Sequence, residues 1–137
     1  FGLDKARRAS PLRTVVDSGI PLGVGTNAFQ SGKFSPMLSL WWLITGKTVA
    51  GSALRAPSVN LTRPEALRVH TIGNAWFTFE EGRKGSIEVG KLADLAVLNG
   101  DYLTIAEDQI PALESILTII GGHVVYAAGP YGRLERK

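Results

Sequence analysis

Residues 19–29 read "GIPLGVGTNAF", and the reading of this stretch decides the fold. Ile20, Leu22 and Val24 are apolar at every second position, separated by Pro21 and Gly23, which is the pattern of a short buried strand. Pro21 fits the first residues of a strand, where a missing N–H is tolerated. Just upstream, Ser10-Pro11 reads as a helix start, with Ser as cap and Pro in the first turn. Leu12, Val15 and Val16 then share one face, and Gly19 supplies a left-handed stop. Helix, glycine turn and buried strand together form the αβ half of a repeating α/β unit. In such folds functional residues gather at the carboxyl ends of strands and in the loops that follow. Thr26 and Asn27 hold that place here. Asn also tolerates left-handed backbone and suits turns, so the local sequence is compatible with a site and with a plain turn.

Beyond the loop "TNAFQSGKF", Ser35-Pro36 marks a second helix start. Met37, Leu38, Leu40, Trp41, Trp42, Leu43 and Ile44 make this helix apolar nearly all round, and Gly46 ends it. A helix of that kind must be covered on most sides, by its own core or by a neighbouring domain or subunit. After an irregular stretch, "LTRPEALRVHTIG" carries a full set of helix signals. Thr62 caps, Pro64 sits in the first turn, Glu65 closes a Thr-x-x-Glu capping box, and Gly73 is the expected stop. From Gly85 onward the pattern turns to β. A strand is expected at residues 95–98, and "ESILTIIGGHVVYAAG" reads as two strands joined by Gly121-Gly122.

The chain has 137 residues, 45% hydrophobic and 20% charged, which suits one globular domain or one compact piece of a larger protein. Fifteen Lys+Arg against twelve Asp+Glu give a net charge of +3. The basic runs "KARR" and "RLERK" lie near the two ends as solvated surface, and no nucleic-acid partner is expected. The absence of cysteine excludes disulfides, thiolate metal sites and a cysteine nucleophile, and is compatible with the cytoplasm, the expected location. No apolar run approaches the ~20 residues of a membrane span, so no membrane association is expected. Phe1 stands where an initiator Met would be, as in a chain whose beginning is missing.

Several letter patterns resemble chemistry without meeting its requirements. "TGKT" at residues 45–48 has Trp41 where a phosphate loop needs its first glycine, and it follows a helix instead of a strand. Gly23-x-Gly25 lacks the third glycine of a dinucleotide fingerprint. Asn60-Leu61-Thr62 spells a glycosylation sequon, but Thr62 is better used as a cap. The two histidines, His70 and His123, are far apart in sequence and form no ligand pair. A histidine late in a helix is favourable to the dipole, and His123 is expected at the edge of a β turn. A metal site normally takes three or four ligands, so none is expected within this chain.

The order "SGIPLGVGTNA … LTRPEALRVHTIGNAWFTFEEGRKGSIEVGKLADLAVLNGD … ESILTIIGGHVVYA" resembles the C-terminal part of the metal-dependent amidohydrolase superfamily. The branch it is most similar to includes N-substituted amide and formamide hydrolases. Residues 84–98 and 118–126 carry the most specific likeness. The resemblance implies the terminal portion of a (β/α)8 TIM-type barrel followed by the C-terminal strands of a small β-sandwich. Residues 1–75 would supply the last strand and helices of the barrel, and residues 76–137 the sandwich strands and tail. A complete barrel takes about 250 residues, so the chain is expected to be a fragment. The parent would hydrolyse a non-peptide carbon–nitrogen bond of a small amide-type substrate using a divalent, zinc-type metal held by residues upstream. The family's last barrel strand ends in Gly-(Ser/Thr)-Asp, whose aspartate handles the proton of the attacking water. Here the pattern reads Gly25-Thr26-Asn27, so Asn27 stands at the proton-transfer position without a carboxylate. The fragment is expected to be inactive and to need the remainder of its parent chain, or self-association, to cover it. The contrasting reading is a non-catalytic binding or assembly module that retains the family's shape.

Overall fold

The computed structural model describes Gly2, Lys5, Arg7, Arg8 and residues 10–26 and 35–134. Helix α1 spans Leu12–Asp17 and ends as expected, with Gly19 at φ +72°. Its start differs from the expectation. Pro11 is the N-cap residue, there is no side-chain cap, and Ser10 is left-handed at φ +56°. That backbone turns Ser10 away from the extended geometry in which a serine caps.

Residues 20–25, where a strand was expected, join no strand ladder among the described residues. A strand is defined by its ladder, and the described neighbours of this segment are helices. Helix α2, Pro36–Thr45, has Pro in its first turn and a left-handed Gly46 at φ +63° at its end. Leu40 and Leu43 are fully buried, and Trp41 and Trp42 pack against the same cluster, so the apolar helix is core.

Helix α3, Arg63–His70, opens with the complete capping box: the Thr62 side chain receives the Glu65 amide, and Glu65 receives the Thr62 amide. Its end departs from the sequence reading. The helix breaks at Thr71 (φ −113°, ψ −92°), and Gly73 lies inside a second short helix, α4, Ile72–Phe77. A Cβ at Gly73 would stand 2.2 Å from the Leu22 carbonyl oxygen. Gly73 therefore serves close approach of another chain segment, not helix termination.

A three-stranded antiparallel sheet follows, in the order β1-β2-β3: Leu95–Leu98, Ser115–Ile120 and His123–Ala127. β1 and the β2–β3 hairpin lie where the period-2 pattern and the glycine pair place them. Gly121 and Gly122 take φ +56° and +83°, the both-positive turn that matches strand twist. Bulges interrupt the register between Val97 and Leu98 and between Thr118 and Ile119. Between β1 and β2 a 3-10 helix, Glu107–Ala112, inserts the fully buried Ile110 into the core with Leu40, Leu43, Leu61, Ala66, Val69, Tyr102 and Leu113. That turn has no period-2 or 3.6 signal of its own. It forms because helix α2 needs apolar cover.

Two arginines join these layers. Arg63 donates to the carbonyls of Tyr102 (2.8 Å) and Ile105 (2.6 Å), tying the start of α3 to the loop before Ile110. Arg55 is buried, lies over the Trp42 ring at 4.0 Å, and donates to the Trp42 and Leu43 carbonyls and to Asn60 Oδ1. Those two carbonyls also accept the Gly46 and Leu61 amides, so Arg55 adds a cation favourable to the dipole at a helix C-terminus whose acceptors already have donors. Asn60 is thereby engaged within the fold, and Thr62 is the cap that the sequence implied.

Candidate functional site

The residues to place are Asn27, the two histidines and the motif at residues 84–98. Asn27 lies outside the described residues. The segment leading to it is described to Thr26, and its course is set by helix α4. Asn74 Nδ2 donates to the Val24 carbonyl (2.9 Å) and to the His70 carbonyl (3.1 Å). Leu22 crosses Gly73 with the two backbones touching. A Cβ at Gly23 would stand 2.5 Å from Asn74 Oδ1 and 2.9 Å from the Phe77 ring. Glycines at the crossing on both partners permit this approach. The sequence alone makes Gly73 look like a stop and gives Asn74 no role. The signal that could have exposed them is a glycine on each of two segments that the fold brings face to face.

His70 lies half-buried behind this crossing, with Nε2 at 2.8 Å from Ser39 Oγ of α2. Burial pushes its pKa below the ordinary histidine value. Desolvation disfavours the charged form that a position late in a helix would otherwise favour. His70, Ser39, Asn74 and the Val24 carbonyl form one polar line across the α2–α3–α4 junction. His123 opens β3 on the exposed edge of the sheet, far from that line in the sequence and in a different layer. Among the described residues no group of three or more His, Cys, Asp or Glu side chains could hold a metal.

Several residues of the motif at 84–98 make structural contacts. Gly85, at φ +92°, packs where a Cβ would meet the Ile72 backbone at 2.8 Å. Lys91 Nζ donates to the Glu81 carbonyl (2.7 Å) and to Ser86 Oγ (2.6 Å), closing the turn that follows α4. Asp94 Oδ1 accepts from the Gly121 amide (2.7 Å), and the Gly122 amide donates to the Ala93 carbonyl, so the start of β1 holds the β2–β3 turn. The most specific letters of the chain therefore build a helix-to-sheet joint.

Two open grooves flank the crossing. One, of about 930 Å3, runs between α2, α3, α4 and β1, with Met37, Leu67, Ile72 and Leu103 in its walls. The other, of about 450 Å3, lies between residues 19–22 and the outer face of α3 and α4, with Val69 and Trp76. Ile87 and Phe79 are each 88% exposed. No helix among the described residues is long and apolar enough to cross a membrane.

Comparison with known proteins gives a consistent picture. The model of the "Amidohydrolase family" matches residues 1–126. The N-substituted formamide deformylase of Arthrobacter pascens is 32% identical over 116 residues, 85% of this chain and 21% of that protein. YtcJ of Bacillus subtilis (strain 168), itself only provisionally described as an amidohydrolase, is 30% identical over 130 residues, 92% of this chain and 24% of that protein. An imidazolonepropionase of Syntrophobacter fumaroxidans is 32% identical over 94 residues, 69% of this chain and 20% of that protein. The chain thus spans about a fifth to a quarter of the length of the curated relatives it matches. No solved structure gives a significant match.

Proposed function

Because the chain belongs to the amidohydrolase family, we propose that it is the C-terminal portion of a hydrolase that cleaves a carbon–nitrogen bond other than a peptide bond in a small amide-type substrate. The observation that carries this reading is the segment 20–24, which joins no strand ladder among the described residues and is held against α4 at Val24. A last barrel strand whose ladder partners lie elsewhere in a longer polypeptide has this form. On this reading residues 1–75 belong to a (β/α)8 barrel and residues 76–137 to a β-sandwich. The groove walls are surfaces that the rest of the polypeptide covers.

A divalent metal, zinc-type, is part of the family's chemistry. The described residues assemble no site for one, so its ligands would lie upstream. What this chain contributes is position 27. An aspartate there would accept a proton, whereas the amide of Asn27 accepts or donates a hydrogen bond and takes up no proton near neutral pH. General-base help is worth roughly 10²–10⁴ in rate, so the substitution bears directly on activity.

The similarity to an enzyme named for N-substituted formamides supplies the first substrate to try. The longer polypeptide, purified with zinc, should release formate from N-phenylformamide, while the 137-residue chain with added zinc should not exceed the buffer rate. Turnover by the short chain would overturn the fragment reading. No turnover by the longer one would overturn the substrate. Asn27 itself favours a second reading, a non-catalytic module of the same shape. Asn27→Asp in the longer polypeptide decides between them: a rise in formate release supports the hydrolase, and no rise together with no bound zinc supports the module.

A further inference from the structure

We propose that the outer edge of β1 is a strand-pairing surface, and that in the 137-residue chain it takes β1 of a second copy, antiparallel and about a two-fold axis, to make one sheet with three strands from each copy. The sheet has two edges, β1 and β3, and they are not alike. Where β2 meets β3, Thr118 faces Tyr126 and Ile119 faces Val124, so the extra residue, Val125, lies on β3 and kinks that edge. The 3-10 turn Gly129–Leu134 also packs against β3. Where β1 meets β2, Val97 faces Leu117 and Leu98 faces Ser115, so the extra residue, Ile116, belongs to β2 and β1 itself is regular. A bulge or a covering turn is how an edge is closed to further pairing, and β1 carries no bulge. A strand paired on one side turns half of its N–H and C=O groups outward. Among the described residues, 95–98 make no backbone–backbone bond besides the ladder to β2.

The strand also suits a copy of itself. Residues 95–98 read Leu-Ala-Val-Leu, without charge, Pro or Gly, so two copies meet with neither repulsion nor a missing donor. The adjoining Asp94 carboxylate is turned onto the Gly121 amide. A net charge of +3 over 137 residues puts little repulsion between whole copies. Leu95, Ala96 and Leu98 border the 930 Å3 groove, in whose walls Ile87 and Leu103 stand 88% and 54% exposed, so a strand added to β1 brings them apolar cover. In this mode main-chain bonds supply affinity and alternate side chains supply fit.

The chain has no cysteine, so one introduced at a chosen place carries a spin label there alone. Labels attached through Ala96→Cys stand on adjacent strands of the paired sheet. Labels attached through Val125→Cys stand on its two outermost strands, about 24 Å apart at ~4.8 Å per strand. Electron spin resonance of the concentrated chain should show strong dipolar broadening for the first and none for the second. Broadening at both places, at Val125 alone or at neither overturns the proposal. In sedimentation, Ala96→Lys sets like charges on facing strands and should raise the dimer dissociation constant at least about tenfold, whereas Val125→Lys should change it less than about twofold. An Ala96→Lys dimer as tight as wild type overturns the proposal as well. Should Ala96→Lys lose the circular dichroism of the folded chain, the labelled variants, with their smaller side-chain change, decide.

Discussion

Glu65 receives the Arg13 guanidinium through two short bonds, 2.7 and 2.6 Å, as well as the Thr62 amide and hydroxyl. Arg13, then Thr62, hold its pKa down at about 2 from an ordinary 4.5. A carboxyl depressed by folding contributes stability above its unfolded value and loses it as pH falls through the folded one. His70, pushed below its usual 6.5 by burial, works in the same direction in a higher window: it is stabilising while neutral, and folding must resist its protonation once pH drops below about 6.5. Urea midpoints followed from about pH 8 to about pH 2 should therefore fall in two stages. His70→Gln should remove the upper stage, and Glu65→Gln should shrink the lower, to which Glu80, Glu88 and Asp101, also held below the ordinary carboxylate value, contribute. A midpoint in His70→Gln that still drops between neutral pH and about pH 5 would refute the first assignment. Arg55→Leu removes the side-chain donor from Asn60 Oδ1 and from the Trp42 and Leu43 carbonyls, which keep the Gly46 and Leu61 amides. Its expected cost is about 2 kcal/mol by urea unfolding, from the lost hydrogen bonds to a charged group. Lysine should rescue little, because an ammonium lacks the fork through which Nε and Nη2 reach separate acceptors.

At the scale of the element, α4 is where two tendencies oppose each other. Gly73→Ala would gain about 1 kcal/mol of helix propensity. It would also place a methyl carbon 2.2 Å from a backbone oxygen, which no rotamer relieves. The clash wins, and net destabilisation of about 2 kcal/mol is expected. The same variant should abolish the nuclear Overhauser signal between the Gly23 α-protons and the Phe77 ring, because residues 20–24 can no longer lie against the helix. A neutral or stabilised Gly73→Ala would show that they do not lie there in the first place. The capping box of α3 is the converse case, a local device whose letters suffice. Thr62→Ala should cost about 1 kcal/mol and shift the unfolding midpoint without disturbing the sheet.

For the whole molecule, surface decides behaviour. Val49, Phe79, Ile87 and Val89 are each at least 70% exposed, and the 930 Å3 groove adds concave apolar area between helices and sheet. Water-exposed apolar surface on that scale drives association. Light scattering on the isolated chain should give a mass above the 14.7 kDa of one copy, rising with concentration. A monomer at every concentration would mean that these surfaces need no cover.

The sequence by itself determined the elements whose signals are local: the capping box at Thr62 and Glu65, the glycine-ended α2, the strand at Leu95–Leu98 and the Gly121-Gly122 hairpin. Each depends on residues within a few positions of one another, so its energetics are written in adjacent letters. Tertiary structure alone decided that Gly73 is a crossing point, that Asn74 holds Val24, that Arg55 closes α2, and that residues 84–98 join helix to sheet. Those roles depend on partners 13 to 50 positions away for the two polar anchors, distances over which neither periodicity nor capping carries information.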